Sequence, residues 1–284
     1  MRIALTGGSG VIGRNFKSMF PQNEYRDFNG RVENLEEVRE FCEGLKDFDY
    51  FLHLAAVVSR YKVEGNPSYA VSVNSVATEN IMHELSRHGS RAPWIFYSSS
   101  SHVYASKKTA LKEEDPTRPI TVYGQTKLLG EEHVLRYAAD FGLRASVGRI
   151  FSYSDVNQSS DFFLPAMAKQ INSAPKNAKL VIPGINGTRD FLRVSQICTT
   201  IFALAEKEFT GVVNIGSGNA NLLADIVFQI RDKSNRRDID IEALTGEAIC
   251  HFADTNKLNH LDINIENQID ILIDEIVRKY APAQ

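Results

Sequence analysis

Leu5-Thr6-Gly7-Gly8-Ser9-Gly10-Val11-Ile12-Gly13, entered from the apolar run Ile3-Ala4-Leu5, is the stretch that decides the fold. A short apolar strand, a turn of small residues and an apolar helical start follow one another. That order suits the cradling of a dinucleotide pyrophosphate. Gly7 and Gly8 permit a sharp turn, and Gly10 removes a side chain where phosphate oxygens must meet backbone N–H groups. Gly13 lets the helix begun by Val11 and Ile12 pack on the strand. The positive end of that helix favours an anion.

Outward from this turn the chain alternates strand and helix. Val11 to Phe20 is expected as a helix closed by Pro21, Glu24 to Phe28 as a second strand, and Asn34 to Leu45 as an acidic helix. Tyr50 to Ala56 is a continuous apolar run, the mark of a strand buried on both faces, and should lie beside the first strand. Asn66-Pro67 opens a helix over Ser68 to His88, and Trp94 to Tyr97 forms another buried strand. The alternation predicts an α/β chain with a Rossmann-type, doubly wound parallel sheet.

The end of the second strand is where such a fold tells its cofactors apart. An acid there holds the ribose hydroxyls of NAD, whereas an arginine accepts the extra phosphate of NADP. Both Arg26 and Asp27 are present, with Arg14 and Arg31 nearby, so NAD(P) stays open with a lean toward NADP. Leu54, Ala55 and Ala56, at the carboxyl end of the third strand, leave room for the adenosine half. His53 inside that run reads as a satisfied core histidine.

Bulk properties narrow the partners. The chain has 284 residues, 43% hydrophobic and 24% charged, with a net charge of −3, which describes a globular protein with a small ligand and no affinity for nucleic acid. Cys42, Cys198 and Cys250 are odd in number and too far apart for a metal knuckle, so they are expected as buried thiols with no metal site. Met1-Arg2-Ile3 enters the first strand directly and no apolar run reaches membrane length, so a cytoplasmic location with no membrane partner is expected.

The fourth strand runs into Ser98-Ser99-Ser100-Ser101-His102-Val103-Tyr104, placing hydroxyls at a carboxyl strand end, where a sheet of this type does its chemistry. Thr121-Val122-Tyr123-Gly124-Gln125-Thr126-Lys127 then leads into a helix over Leu128 to Phe141. Tyr123 and Lys127 are four apart and share a helix face, about 6 Å apart along the axis. A phenol titrates near 10, and an adjacent ammonium together with a cationic nicotinamide would pull that down. Tyr123 would move the proton that accompanies hydride transfer, Lys127 would also fix a ribose hydroxyl, and Ser100 would hold the reacting oxygen. Tyr104 and Lys108 repeat the spacing, but they precede Pro116 and Pro119, where no sustained helix is expected.

The chain resembles the extended short-chain dehydrogenase/reductase family of nucleotide-sugar epimerases, dehydratases and reductases. The matching stretches are Thr6-Gly7 to Gly13, His53 to Ala56, Asn66-Pro67, Asn74, Ser98 to Tyr104 and Tyr123 to Lys127, then Arg149, Arg189-Asp190-Phe191, Asn214 to Gly218 and Asp254 to Lys257. The resemblance implies a small C-terminal substrate-binding lobe, over 151–188 and 217–284, beside a dinucleotide domain of 1–150 to which 189–216 returns. It implies Ser100, Tyr123 and Lys127 as catalytic, a nucleoside-diphosphate sugar as partner and Arg189 as a contact to its diphosphate. Ser101, His102 and Ser152 stand where sugar contacts are expected. A homodimer paired through helices near 68–88 and 124–140 is implied as well. The Asp-Glu pair that 4,6-dehydratases carry after the catalytic hydroxyl is Ser101-His102 here, and no cysteine stands in that segment, so dehydration and carbon-acid epimerisation are not expected. What remains is hydride transfer at a sugar carbon, C4: a 4-keto-6-deoxy-sugar nucleotide reductase, a 4-epimerase that retains NAD, or, from another class, a non-catalytic dinucleotide-binding regulator.

Overall fold

The computed structural model describes residues 1–244 and 248–281. They fall into two compact units, one of Met1–Ala105, Glu113–Ile150 and Ser195–Ile215, the other of Ser106–Lys112, Phe151–Val194 and Gly216–Gln284.

The first unit is built on strands β1 (Arg2–Thr6), β2 (Glu24–Asp27), β3 (Tyr50–His53), β4 (Trp94–Ser100) and β5 (Ala145–Ile150), joined by the strand Gly211–Ile215. All pair in parallel, in the order β2-β1-β3-β4-β5 and then Gly211–Ile215. Every residue of β4 and β5 is buried, and the apolar run Trp94 to Tyr97 is what a sheet covered on both faces requires. Its helices are α1 (Val11–Met19), α2 (Leu35–Glu43), α3 (Arg60–Gly65), α4 (Pro67–Val71), α5 (Ala77–Ser86) and α6 (Val122–Phe141). Helices α2, α5 and α6 pack together on one face. On the other, Phe20 of the turn after α1 stacks on Phe202 of the helix Val194–Glu206 at 4.2 Å. This is the doubly wound Rossmann arrangement. Chain order reverses between β1 and β3, which makes the carboxyl ends of those two strands the switch point where ligands of such sheets bind.

The expected helix over Ser68 to His88 is interrupted. A π-helical turn, Ser72–Val76, separates α4 from α5. The wider turn accompanies a clamp by Asn74: its Oδ1 accepts from the Val57 N–H at 2.7 Å, and its Nδ2 donates to the Val57 carbonyl and to Thr126 Oγ1, each at 3.0 Å.

The second unit encloses its own core, in which Leu164, Ile171, Ile226, Ile230, Ile273 and Ile276 meet from the helices Phe163–Ser173, Leu223–Lys233 and Ile269–Tyr280. Here the expected boundary is corrected. Residues 189–194 belong to this unit, as does Ser106–Lys112 from within the expected 1–150, and the return to the sheet runs from Ser195 to Ile215. Thr188–Arg189 pairs with Asn221–Leu222 and Cys250–His251, and Phe191–Arg193 pairs with Ser152–Ser154, so the backbone bonds of that segment are spent inside the second unit. Asp190, fully buried, ties the unit together: its carboxylate accepts from the backbone N–H groups of Ser217, Gly218 and Ala253 and from Ser217 Oγ. Among the described residues no helix is long and apolar enough to cross a membrane.

Candidate active site

The glycine turn adopts the shape its composition requires. Gly7 has φ +71°, and a Cβ on it would lie 2.7 Å from the Ala55 nitrogen; one on Gly13 would lie 2.6 Å from the Gly7 carbonyl oxygen. Gly10 caps α1 without any side-chain hydrogen bond, and no acidic residue occupies the first turn. The first N–H groups of a helix, here those of Val11, Ile12 and Gly13, have no intrahelical acceptor, so the turn offers bare backbone donors to an anion.

Beside it, Asp27 ends β2 and overlies Gly8, whose Cβ would overlap the carboxyl group. Asp27 Oδ2 accepts from Lys17 Nζ, whereas Oδ1 is buried with no partner. Arg26 faces the other way, with Nη1 donating to the Gly44 carbonyl at 3.2 Å and the guanidinium over the Phe41 ring. Arg14 donates to the Ser9 carbonyl at 2.8 Å, and Arg31 pairs with Glu33 at 3.2 Å. Alternation along β2 thus turns Arg26 to the face opposite Asp27, while Arg14 stays at the glycine turn and Arg31 stays largely exposed.

Leu54, Ala55 and Ala56 are partly exposed beyond the end of β3. Ala55 N–H donates to Thr6 Oγ1 at 3.3 Å, Thr6 Oγ1 lies 2.6 Å from His53 Nδ1, His53 Nε2 lies 2.9 Å from Thr78 Oγ1, and that hydroxyl donates to the Asn74 carbonyl. The last donation leaves Thr78 Oγ1 to accept, so His53 carries its proton on Nε2 and accepts from Thr6 at Nδ1. Burial, with Lys127 nearby, pulls His53 down to about 3. It is a neutral core histidine.

Ser100 ends β4 and accepts from the His102 N–H at 3.3 Å; Tyr123 and Lys127 lie on the first turns of α6, whose start is capped by Thr121 Oγ1 accepting from the Gly124 N–H. The Ser100 side chain lies near enough to the Tyr123 hydroxyl to favour its phenolate form. Lys127 is 1% exposed, and its Nζ has no hydrogen-bond partner. Burial pushes the Tyr123 phenol up to about 12, against the influence of Ser100, and pulls Lys127 down to about 7, against the charge of Glu131. The expectation that the lysine lowers the phenol is thus not met in the chain by itself, because desolvation outweighs the other contributions. Tyr104 and Lys108 do not share a helix: Tyr104 Oη donates to Asn214 Oδ1 at 2.8 Å in the core.

Sequence reasoning missed the support behind these groups. Glu131, one turn beyond Lys127, is 1% exposed and holds Arg149 of β5 through paired contacts, the shortest 2.7 Å, while accepting from Ser99 Oγ. Arg149 Nη1 donates to Tyr104 Oη at 2.7 Å. The four-residue step from Lys127 to Glu131 was the available signal. Lys17 and Tyr97 carried none.

Among the residues expected to contact substrate, Ser101 is buried, and His102 is exposed with its ring edge-on to Tyr123 at 5.7 Å. In the second unit, Ser152 is partly exposed opposite Phe191, and Arg189 Nη1 donates to the carbonyls of Thr188 and Ile249 at 2.9 and 2.7 Å. Arg189 is not the partner of Asp190, whose donors are the backbone groups and Ser217 named above. Among the described residues no group of three or more His, Cys, Asp or Glu is placed to hold a metal ion.

The profile of the NAD dependent epimerase/dehydratase family matches residues 3–216. A GDP-6-deoxy-D-talose 4-dehydrogenase of Aggregatibacter actinomycetemcomitans is 27% identical over 227 residues, 77% of this chain and 75% of the relative. A putative UDP-glucose 4-epimerase of Methanocaldococcus jannaschii is 27% identical over 249 residues, 79% of this chain and 81% of the relative. Among solved structures, RMD from Pseudomonas aeruginosa complexed with NADPH superposes with a TM-score of 0.87 at 20% identity, over 98% of both chains, which shows the shared fold.

Proposed function

The chain belongs to the NAD dependent epimerase/dehydratase family, and from that premise we propose that it reduces a 4-keto-6-deoxy-sugar nucleotide at C4. The observation that carries this reading is the group formed by Ser100 beside the Tyr123 hydroxyl, with the buried amine of Lys127, which has no hydrogen-bond partner, on the next turn of the same helix.

These residues fit a nicotinamide dinucleotide. The turn from Gly7 to Gly13 offers donors for the pyrophosphate, Asp27 Oδ1 lacks a donor that a ribose hydroxyl would supply, and Lys127 Nζ lacks an acceptor that the second ribose would supply. When bound, the nicotinamide supplies the hydride. Tyr123 then gives its proton to the C4 oxygen while Ser100 holds that oxygen by hydrogen bonding. A phenol that keeps its proton to about 12 is available as a donor at neutral pH. A 2′-phosphate would set a second negative charge beside the Asp27 carboxylate and remove one of the two hydroxyl donors it could take, which supports NAD(H) over NADP(H) as the cofactor.

The same carboxylate favours a second reading, a 4-epimerase, since that enzyme retains NAD. Both readings meet one experiment: the purified chain is analysed by mass spectrometry for bound dinucleotide, then assayed with a panel of 4-keto and 4-hydroxy sugar nucleotides with NADH and NADPH. Turnover of a 4-keto sugar nucleotide consuming NADH is the expected result. Retained NAD with interconversion of 4-hydroxy epimers would replace the reductase by the epimerase. Dinucleotide binding with no turnover of any sugar nucleotide would replace both by a regulator.

A further inference from the structure

Lys127 is buried beneath the surface with its charge resting on a ring. Its Nζ lies 4.2 Å from the centroid of Tyr97, a residue of β4 three positions before Ser100 and itself 1% exposed. A cation within about 6 Å of an aromatic centroid is attracted by the negative face of the ring, most strongly where water is excluded. The ring is fixed. Its hydroxyl lies 3.4 Å from the carbonyl oxygens of both Asn74 and Lys127, it fits against Gly130, where any Cβ would overlap it, and the His53 ring lies 5.6 Å away.

Among the described residues, the ionisable groups seen to act on Lys127 are Glu131 on its own helix, Tyr97 from β4 and the neutral His53 from β3, with Tyr123 one turn before it on α6 and Arg149 of β5 behind Glu131. Glu131 is already committed to Arg149 and Ser99. We propose that Tyr97 is a positioning residue whose ring face keeps the Lys127 ammonium charged and held for the dinucleotide ribose and for Tyr123. The proposal rests on the role given to Lys127 above. Burial brings that amine into the neutral range, so weakening its support is felt at working pH.

The test grades the ring without changing its shape. In the full chain Tyr97 is replaced by Phe, and by Phe carrying one, two and three ring fluorines, which withdraw charge from the π face in steps; Tyr97→Phe is the reference and Lys127→Met the control. NADH affinity is measured by fluorescence across pH 5.5 to 9, alongside turnover. We expect affinity at neutral pH to fall with each fluorine, roughly tenfold across the series, with the limb that Lys127→Met abolishes moving to lower pH, because a weaker ring face favours the neutral amine. A fluorinated series that superimposes on Tyr97→Phe, while Lys127→Met still removes the limb, overturns the proposal and leaves Tyr97 as packing. Unchanged binding and pH dependence in Lys127→Met would instead remove the role of Lys127 itself. Thermal unfolding of each variant separates these outcomes from loss of fold.

Discussion

Lys127 occupies a place that stability alone would not choose. An amine 1% exposed with no acceptor carries an unpaired-donor cost of about 1–3 kcal/mol, so Lys127→Met is expected to raise Tm near pH 7 by roughly 2–4 °C per kcal/mol recovered while removing turnover. Its folded value of about 7 lies below the unfolded value near 10.4. The unfolded chain therefore binds the extra proton between those values, and wild-type stability gains from this group as pH rises through that window and levels off above it. Melting curves at several pH values check both, and equal Tm for the two proteins throughout would refute them. Tyr123→Phe removes the proton and keeps the ring, so turnover should fall at least a hundredfold with dinucleotide affinity nearly unchanged; comparable loss in both measurements would give Tyr123 a binding role instead. Ser100, Tyr123 and Lys127 were legible because spacing and a strand end mark them. Lys17, Tyr97 and Glu131 were not, since a lysine or glutamate on a helix is ordinarily solvated and a strand tyrosine ordinarily fills space. The orphaned oxygen of Asp27 shows only once β2 has turned Arg26 away from it.

Elements carry the next level of constraint. The turn between β1 and α1 was readable from glycines alone, and Gly7→Ala tests it: the positive φ and the approach to Ala55 leave no room for a methyl group, so dinucleotide binding should be lost well before the fold. Calorimetric titration with NADH reads this, and wild-type affinity would contradict it. The helix from 68 to 88 was expected as one piece and is three, because apolar periodicity locates a buried face but does not register the extra residue of a π turn. Asn74 is the reason to keep that irregularity. Asn74→Ala deletes three side-chain bonds, two of them to the Val57 backbone, which corresponds to a loss of about 2–3 kcal/mol. Faster amide exchange at Val57 should accompany it; a stable variant with unchanged exchange there would mean the clamp is decorative.

At the scale of the whole molecule the parallel sheet was legible from alternation, whereas the boundary after Arg189 was not, because strands of two or three residues leave almost no pattern. The buried pair of Glu131 and Arg149 spans that gap between pattern and structure. It joins α6 to β5, and through Tyr104 and Asn214 reaches the last strand of the sheet. Arg149→Met strands a buried carboxylate and should lower unfolding free energy by about 3–5 kcal/mol, with much of the loss recovered in the Glu131→Leu, Arg149→Met double variant; equal losses in denaturant titrations would show the charges are not coupled. The position of that last strand also bears on how the protein is made. The outer edge of β5 is covered by residues 211–215, and the indole N–H of Trp94 donates to the Phe209 carbonyl. A nascent chain emerging from the ribosome therefore carries an open, apolar sheet edge until more than two hundred residues have been synthesised, so chaperone occupancy during translation should persist up to that length, and fragments ending near residue 150 should aggregate.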